Sequence, residues 1–130
     1  MVILGIDPGI AIVGYGIIEY KNNKFRVIDY GAVTTNANTP TDERLALVYK
    51  GIDILIKNYN TDEVAIEELF FNKNVKTAIT VAQARGVIML ACTHNNKPIY
   101  EYTPLQVKQG VVGYGRAQKM QVQQMVTSLL

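Results

Sequence analysis

The sequence predicts an α/β domain: a mixed five-stranded sheet, its first three strands an antiparallel meander and its last two parallel, flanked by helices. Three observations carry this expectation. The chain opens on Val2-Ile3-Leu4-Gly5-Ile6, a nearly unbroken apolar run of the kind that forms a strand buried on both faces. Two further β-type segments follow with only short turns between them, which favours antiparallel neighbours. Helical and extended patterns then alternate, and a strand delivered by a crossover helix lies parallel to one already in the sheet.

Asp7 closes the first run, and Pro8-Gly9 turns the chain into a second apolar stretch, Ile10 to Ile18. Gly14 and Gly16 flank Tyr15 there, but no helix follows, so this is not a dinucleotide-binding fingerprint. Lys21-Asn22-Asn23-Lys24 is a polar turn, and Phe25 to Thr34 reads as the third strand. Thr39-Pro40-Thr41-Asp42 predicts a helix start, with Thr39 as N-cap, Pro40 in the first turn and Asp42 where the helix dipole favours an acid. Leu45, Val48, Ile52, Leu55, Ile56 and Tyr59 recur at helical spacing and carry that helix to about residue 59.

Glu63 to Glu67 is a short fourth strand, apolar in its middle and ending, like the first, in an acid. Asn74 to about Thr93 reads as a second helix rich in small residues (Ala78, Ala82, Ala84, Gly86, Ala91). It is apolar on more than one face, which implies a contact beyond its own sheet and suggests a second subunit. Pro98 to Tyr102 is the fifth strand. Thr103-Pro104-Leu105-Gln106 has capping-box spacing and opens another helix, which the two glycines of Val111 to Arg116 break. Val122, Met125, Val126, Leu129 and Leu130 mark a final amphipathic helix.

Bulk properties bound the class. The chain has 130 residues, enough for one domain with its own core, here residues 1–130. Apolar content of 48% and charged content of 18% are those of a globular protein. No unbroken apolar run approaches the ~18 residues of a membrane span, and no basic segment followed by a cleavable apolar one opens the chain. No membrane association is expected. One cysteine, Cys92, excludes an internal disulfide and a cysteine-based zinc cluster. A cytoplasmic protein is expected. Charge is unevenly divided: residues 1–68 carry six Lys/Arg against ten Asp/Glu, while residues 69–130 carry seven against Glu101 alone. An acidic half beside a basic half suits a polyanionic partner whose phosphates meet a cation.

The two strand-ending acids are the chemical focus. The meander leaves one side of the first strand free, and a crossover helix can bring the fourth strand there, parallel and ~4.8 Å away. Asp7 and Glu67 then end adjacent strands at the carboxyl edge, where open α/β sheets bind ligands. Carboxylates that close repel unless a proton or a cation joins them. With oxygen donors and no Cys or His in support, the cation implied is Mg²⁺ or Mn²⁺, and the chemistry is phosphoryl transfer to a metal-activated water. The plainer alternative for Asp7 is a turn-capping aspartate before Pro-Gly. Glu68 rivals Glu67, but strand alternation sends the two to opposite faces.

GIDPG at Gly5–Gly9, GYG at Gly14–Gly16, AIEELF at Ala65–Phe70, QARG at Gln83–Gly86 and EYTPLQVKQGVVGYGRAQKMQV at Glu101–Val122 together resemble the RuvC family of bacterial Holliday-junction resolvases. The resemblance spans essentially the whole chain. It implies an RNase H-like fold, a homodimer, and Mg²⁺-dependent nicking of two opposed strands of four-way junction DNA in recombination and repair. It also implies partnership with the RuvA–RuvB branch-migration helicase. Asp7 and Glu67 match the family's first two catalytic, metal-binding acids. Phe70 matches the aromatic that inserts beside unpaired bases at the crossover, and Lys108 and Lys119 match its DNA-backbone lysines. Arg116, beside two glycines, is placed to approach a phosphate.

Arg85 is read as an intrasubunit or dimer contact, His94 as a surface residue without a role, and Cys92 as a small buried apolar residue. The family carries two more active-site positions on a helix beyond the last residue here, and no carboxylate follows Glu101. The expectation is therefore a chain cut before its final helix, one that binds junctions but cleaves poorly. Two other readings are disfavoured. A pre-ribosomal-RNA nuclease of the same fold lacks the QVKQ-VVG block, and an actin-like ATP-binding domain needs a second lobe.

Overall fold

A computed structural model describes residues 1–68 and 75–102. Expectations placed on Phe70, Lys108, Arg116 and Lys119, and on the segments after Tyr102, fall outside these residues. Five strands and two helices are described: β1 (Val2–Asp7), β2 (Ile12–Lys21), β3 (Lys24–Thr34), α1 (Thr41–Tyr59), β4 (Glu63–Glu67), α2 (Val75–His94) and β5 (Ile99–Tyr102). They build one sheet in the order β3-β2-β1-β4-β5. β1–β2 and β2–β3 pair antiparallel, and β1–β4 and β4–β5 pair parallel. This is the mixed five-stranded sheet expected from the sequence.

Local chemistry accounts for the joints. Asn22 and Asn23 both take positive φ, 55° and 61°, as a two-residue hairpin between twisted strands demands, and asparagine tolerates that region. Tyr20 and Phe25 close the hairpin with ring centroids 4.8 Å apart. Ile17 pairs with Asp29 and Ile18 with Val27, so Ile28 is a bulge that sharpens the twist of the edge strand β3.

Several boundaries differ from the sequence expectation, two of them instructively. β2 starts at Ile12 rather than Ile10. The preceding loop is held instead by β3's end: the Thr35 hydroxyl donates to the Ile10 carbonyl, and the Thr35 N–H donates to the Ala11 carbonyl at 3.0 Å. Gly9 makes that loop possible, since a Cβ there would lie 2.2 Å from the Ile12 carbonyl oxygen. Thr39 is not the N-cap of α1. Pro40 is, with no side-chain cap, and its carbonyl accepts the Arg44 N–H at 3.0 Å as the first bond of the helix. Asp42 and Glu43 still sit in the first turn, where the dipole favours them, and Asn60 ends the helix in the left-handed region at φ 49°.

Both helices cover the same face of the sheet. Leu4, Ile6, Val13, Ile17, Val64 and Ile66 point to Val48, Ile52, Leu55 and Ile56 of α1 and to Ile88, Ala91 and Cys92 of α2. The Cys92 thiol is buried and its pKa is pushed up to about 11, which makes it a packing residue. By length and composition α2 is apolar enough to cross a membrane. The sequence expectation counted unbroken apolar runs, whereas here apolar residues prevail on average around interspersed polar ones. Ala84, Ile88, Ala91 and Cys92 of this helix are in the core of the domain. His94, expected to do nothing, links the helices: its Nδ1 and the Tyr49 hydroxyl lie 2.6 Å apart.

Two isoleucines on one helix test this packing. Ile52 is fully buried and Ile54 is exposed. Ile52→Ala should cost about 2–5 kcal/mol of unfolding free energy, while Ile54→Ala should stay within about 0.5 kcal/mol of wild type. Urea denaturation of both variants checks the difference.

Candidate active site

The site begins with a clamp at the other end of the sheet. The Asp62 N–H donates to the Val2 carbonyl at 2.8 Å, and the Asp62 carboxylate accepts the Val2 N–H at 2.7 Å. β1 and β4 therefore leave a common starting line and run parallel, with Ile3 beside Glu63, Gly5 beside Ala65 and Ile6 beside Ile66. Parallel strands rise equally per residue, so Asp7 and Glu67, one step further on, finish side by side. Ile6 and Ile66 face the core. Alternation sends Asp7 and Glu67 to the opposite face, away from α1 and α2.

The surroundings on that face are small. Gly14 lies opposite Asp7 on β2, and Gly16 lies opposite Gly5. Tyr102 flanks Glu67 on β5, and Tyr100 flanks Ala65. The acids thus stand above a floor of Gly5, Gly14, Gly16 and Ala65, with two exposed tyrosines along one side. The glycine floor crowds neither carboxylate with a side chain from the facing positions of β1 and β2.

The two carboxyl groups are hydrogen-bonded to each other. Burial raises the Asp7 carboxyl above its ordinary value, and the hydrogen bond from Glu67 partly offsets this. Glu67 is raised by burial, and further by the Asp7 charge and by the bond it donates. Both carboxyl groups are thus less readily ionised than an exposed pair, and two half-buried carboxylates this close favour a proton or a cation between them. The donor set is all oxygen and anionic, which fits a hard divalent ion. Among the described residues no third His, Cys, Asp or Glu joins the pair.

The sequence reading of Arg85 is resolved as an intrasubunit contact: its Nη2 lies 3.0 Å from the Glu101 carboxylate. Two supporting residues escape sequence reasoning. Asp62 carries no periodic signal. Glu101 has one, as the lone acid among residues 69–130. Glu68 departs from the site by donating its N–H to the Tyr102 carbonyl at 2.7 Å. Structure places Asp7 and Glu67 together; Phe70, Lys108, Arg116 and Lys119 lie outside the described residues.

Comparison with known proteins agrees with this architecture. Residues 3–130 match the family model described as crossover junction endodeoxyribonuclease RuvC. The chain is 81% identical over 130 residues to the crossover junction endodeoxyribonuclease RuvC of Clostridioides difficile (strain 630), covering all of this chain and 77% of that protein. A Thermus thermophilus RuvC structure superposes with a TM-score of 0.82 at 33% identity, covering 100% of this chain and 80% of the other. T. thermophilus RuvC in complex with a Holliday junction substrate gives a TM-score of 0.79 at 32% identity, covering 85% and 69%. The sheet that brings Asp7 beside Glu67 is thus a shared framework, and the chain belongs to the RuvC family.

Proposed function

We propose that this protein is a crossover junction endodeoxyribonuclease, which hydrolyses phosphodiester bonds in two opposed strands of a four-way DNA junction during recombination and repair. The observation that carries the reading is the meeting of Asp7 and Glu67 on adjacent strand ends, above a glycine floor, in a member of a junction-nuclease family. Asp7 and Glu67 would hold a divalent cation, Mg²⁺ by preference and Mn²⁺ as a substitute. When bound, such an ion supplies a polarised phosphoryl oxygen and a water of lowered pKa. The chain's own part is to present both carboxylates on one side of a rigid sheet, where burial and mutual charge keep them ready for a cation.

Phe70, Lys108, Arg116 and Lys119 are assigned to the DNA: the aromatic beside unpaired bases at the crossover, the cations along phosphates. Two symmetric cuts need two sites at a fixed separation, hence a homodimer. Val75, Ile79, Ala82, Gly86 and Leu90 supply a surface for it, since their spacing puts them on one stripe of α2 and all five are exposed. A Cβ added at Gly86 would touch nothing within 4 Å, so the stripe has room for close approach by a twofold copy. A DNA substrate places the protein in the cytoplasm, with the RuvA–RuvB helicase as its partner.

A second reading keeps junction binding but not efficient cleavage by residues 1–130. It is favoured by the pairing of only two acids, with no third candidate ligand, among the described residues. A synthetic four-way junction with Mg²⁺ separates the two. On the first reading residues 1–130 nick the junction symmetrically, and Asp7→Asn or Glu67→Gln lowers the rate about a thousandfold, equivalent to about 4 kcal/mol of transition-state stabilisation. Junction affinity should stay within about threefold, since phosphate contacts dominate it. Tight binding with no Mg²⁺-dependent nicking selects the second reading.

Two further outcomes follow from the same groups. Glu67 has a folded pKa above its unfolded one, so the folded protein keeps a proton that the unfolded chain releases. The pair's contribution to stability is present below the ordinary carboxylate range and is lost as pH rises through the raised value. Asp7→Asn should therefore melt above wild type at pH 7, with the gap closing toward pH 4, and added Mg²⁺ should raise the melting temperature of wild type alone. Ile79→Glu, in the middle of the exposed stripe of α2, should convert a dimer to a monomer in sedimentation at micromolar concentration without lowering the melting temperature of the fold.

A further inference from the structure

We propose that Arg85 and Glu101 are positioning residues that brace the carboxyl end of β4 and so hold Glu67 in place for its cation. The proposal rests on the reading of Asp7 and Glu67 as a cation site. β4 has only five residues, and β1 accompanies it to the line of Asp7 and Glu67. Past Glu67, the chain is tied sideways: the Glu68 N–H donates to the Tyr102 carbonyl at 2.7 Å. The end of β4 is thus only as steady as β5.

β5 is a poor anchor by itself. It has four residues, and Tyr100, Glu101 and Tyr102 are all exposed, leaving Ile99 to pack against the core. A short strand with one packed side chain is weakly specified in register, and a slip of one residue would exchange the faces of Glu101 and Tyr102. What pins it is a charge. Glu101 lies beside Ile66 in the ladder and so faces the helices, where the Arg85 guanidinium meets it at 3.0 Å.

The state of Arg85 argues that this contact serves geometry more than stability. Its side chain is only 18% exposed while that of Glu101 is 40% exposed. The other arm, Nη1, rests on the Met89 sulfur at 3.3 Å, and the buried Nε has no hydrogen-bond partner among the described residues. A guanidinium buried with one donor unsatisfied is costly, and apolar side chains of similar volume stabilise such places at least as well. What apolar side chains lack is direction. A planar fork pointing from the middle of α2 selects one position of Glu101, and with it one position of the Tyr102 carbonyl that receives Glu68.

The test uses Mn²⁺ as the probe and the double variant Arg85→Met/Glu101→Leu, which removes both charges and leaves none buried alone. Glu101→Gln serves beside it, and Glu67→Gln is the reference for loss of the site. Mn²⁺ affinity is read by electron paramagnetic resonance. Amide hydrogen exchange is read at Glu68, with Val64 as the internal standard because its N–H bonds to the Pro98 carbonyl at the other end of the same strand pair. Glu67→Gln should abolish most Mn²⁺ binding. The double variant and Glu101→Gln should each weaken it about tenfold, the scale of losing a supporting partner of a metal ligand. Exchange at Glu68 should accelerate about tenfold while Val64 holds.

Unchanged Mn²⁺ affinity in the double variant, beside a normal loss in Glu67→Gln, overturns the brace and leaves the site reading standing. Equal acceleration at Val64 and Glu68 overturns it too, since that is general loosening of the sheet. Unchanged affinity in Glu67→Gln overturns the site reading, and the brace with it.

Discussion

The constraint on which the rest depends is the parallel pairing of β1 with β4. Asp62 joins the starts of the two strands through a pair of hydrogen bonds at 2.7 and 2.8 Å. Counting five residues along each strand from that clamp reaches Asp7 on one and Glu67 on the other. The shared register brings the two carboxyl groups to the same line. Because the strands alternate in step, the residues just before them, Ile6 and Ile66, are both buried in the core. One interaction therefore sets the depth of the hydrophobic anchor and the position of the acids above it. The anchored isoleucines fix the residue before each acid, so only the last step of each strand depends on other contacts.

The two faces of the sheet divide labour. On the helix side, branched apolar residues fill the space beneath α1 and α2, where burial supplies the driving force for folding. On the acid side, Gly5, Gly14, Gly16 and Ala65 contribute almost no side chain. That face adds little to stability through packing, and it holds a carboxyl pair that burial and mutual repulsion make unfavourable when ionised. On the proposed reading, a divalent cation at this place would relieve that cost. Sites that work on charged substrates commonly sacrifice local stability in this way.

The supporting contacts have a common pattern. Thr35 holds the loop after Asp7, and Arg85 with Glu101 holds the strand beside Glu67. Each acid is the last residue of its strand, past the point where β1 and β4 pair with each other. A side chain from another element takes over at each place. Thr35 itself accepts a hydrogen bond from the Arg44 Nε at 2.9 Å, so an arginine from each helix reaches toward the edge that carries the acids.

Much of the fold was legible because its signals are local. Glu63–Glu67 emerges with the same limits from the sequence and the structure, and α1 ends at Tyr59 as its periodicity indicates. Errors arose where a distant residue intervened. The start of β2 moved because Thr35, 25 residues from Ile10, captures the loop before it. The partners of Arg85 and His94 lie 16 and 45 residues away along the chain, distances at which periodicity carries no information. By itself the sequence determined that Asp7 and Glu67 each close a strand, since apolar runs and the acids that end them are properties of contiguous residues. Only the tertiary structure decided that they stand together on the face away from the helices and raise each other's tendency to hold a proton, because burial, register and mutual charge exist only once the two strands are paired.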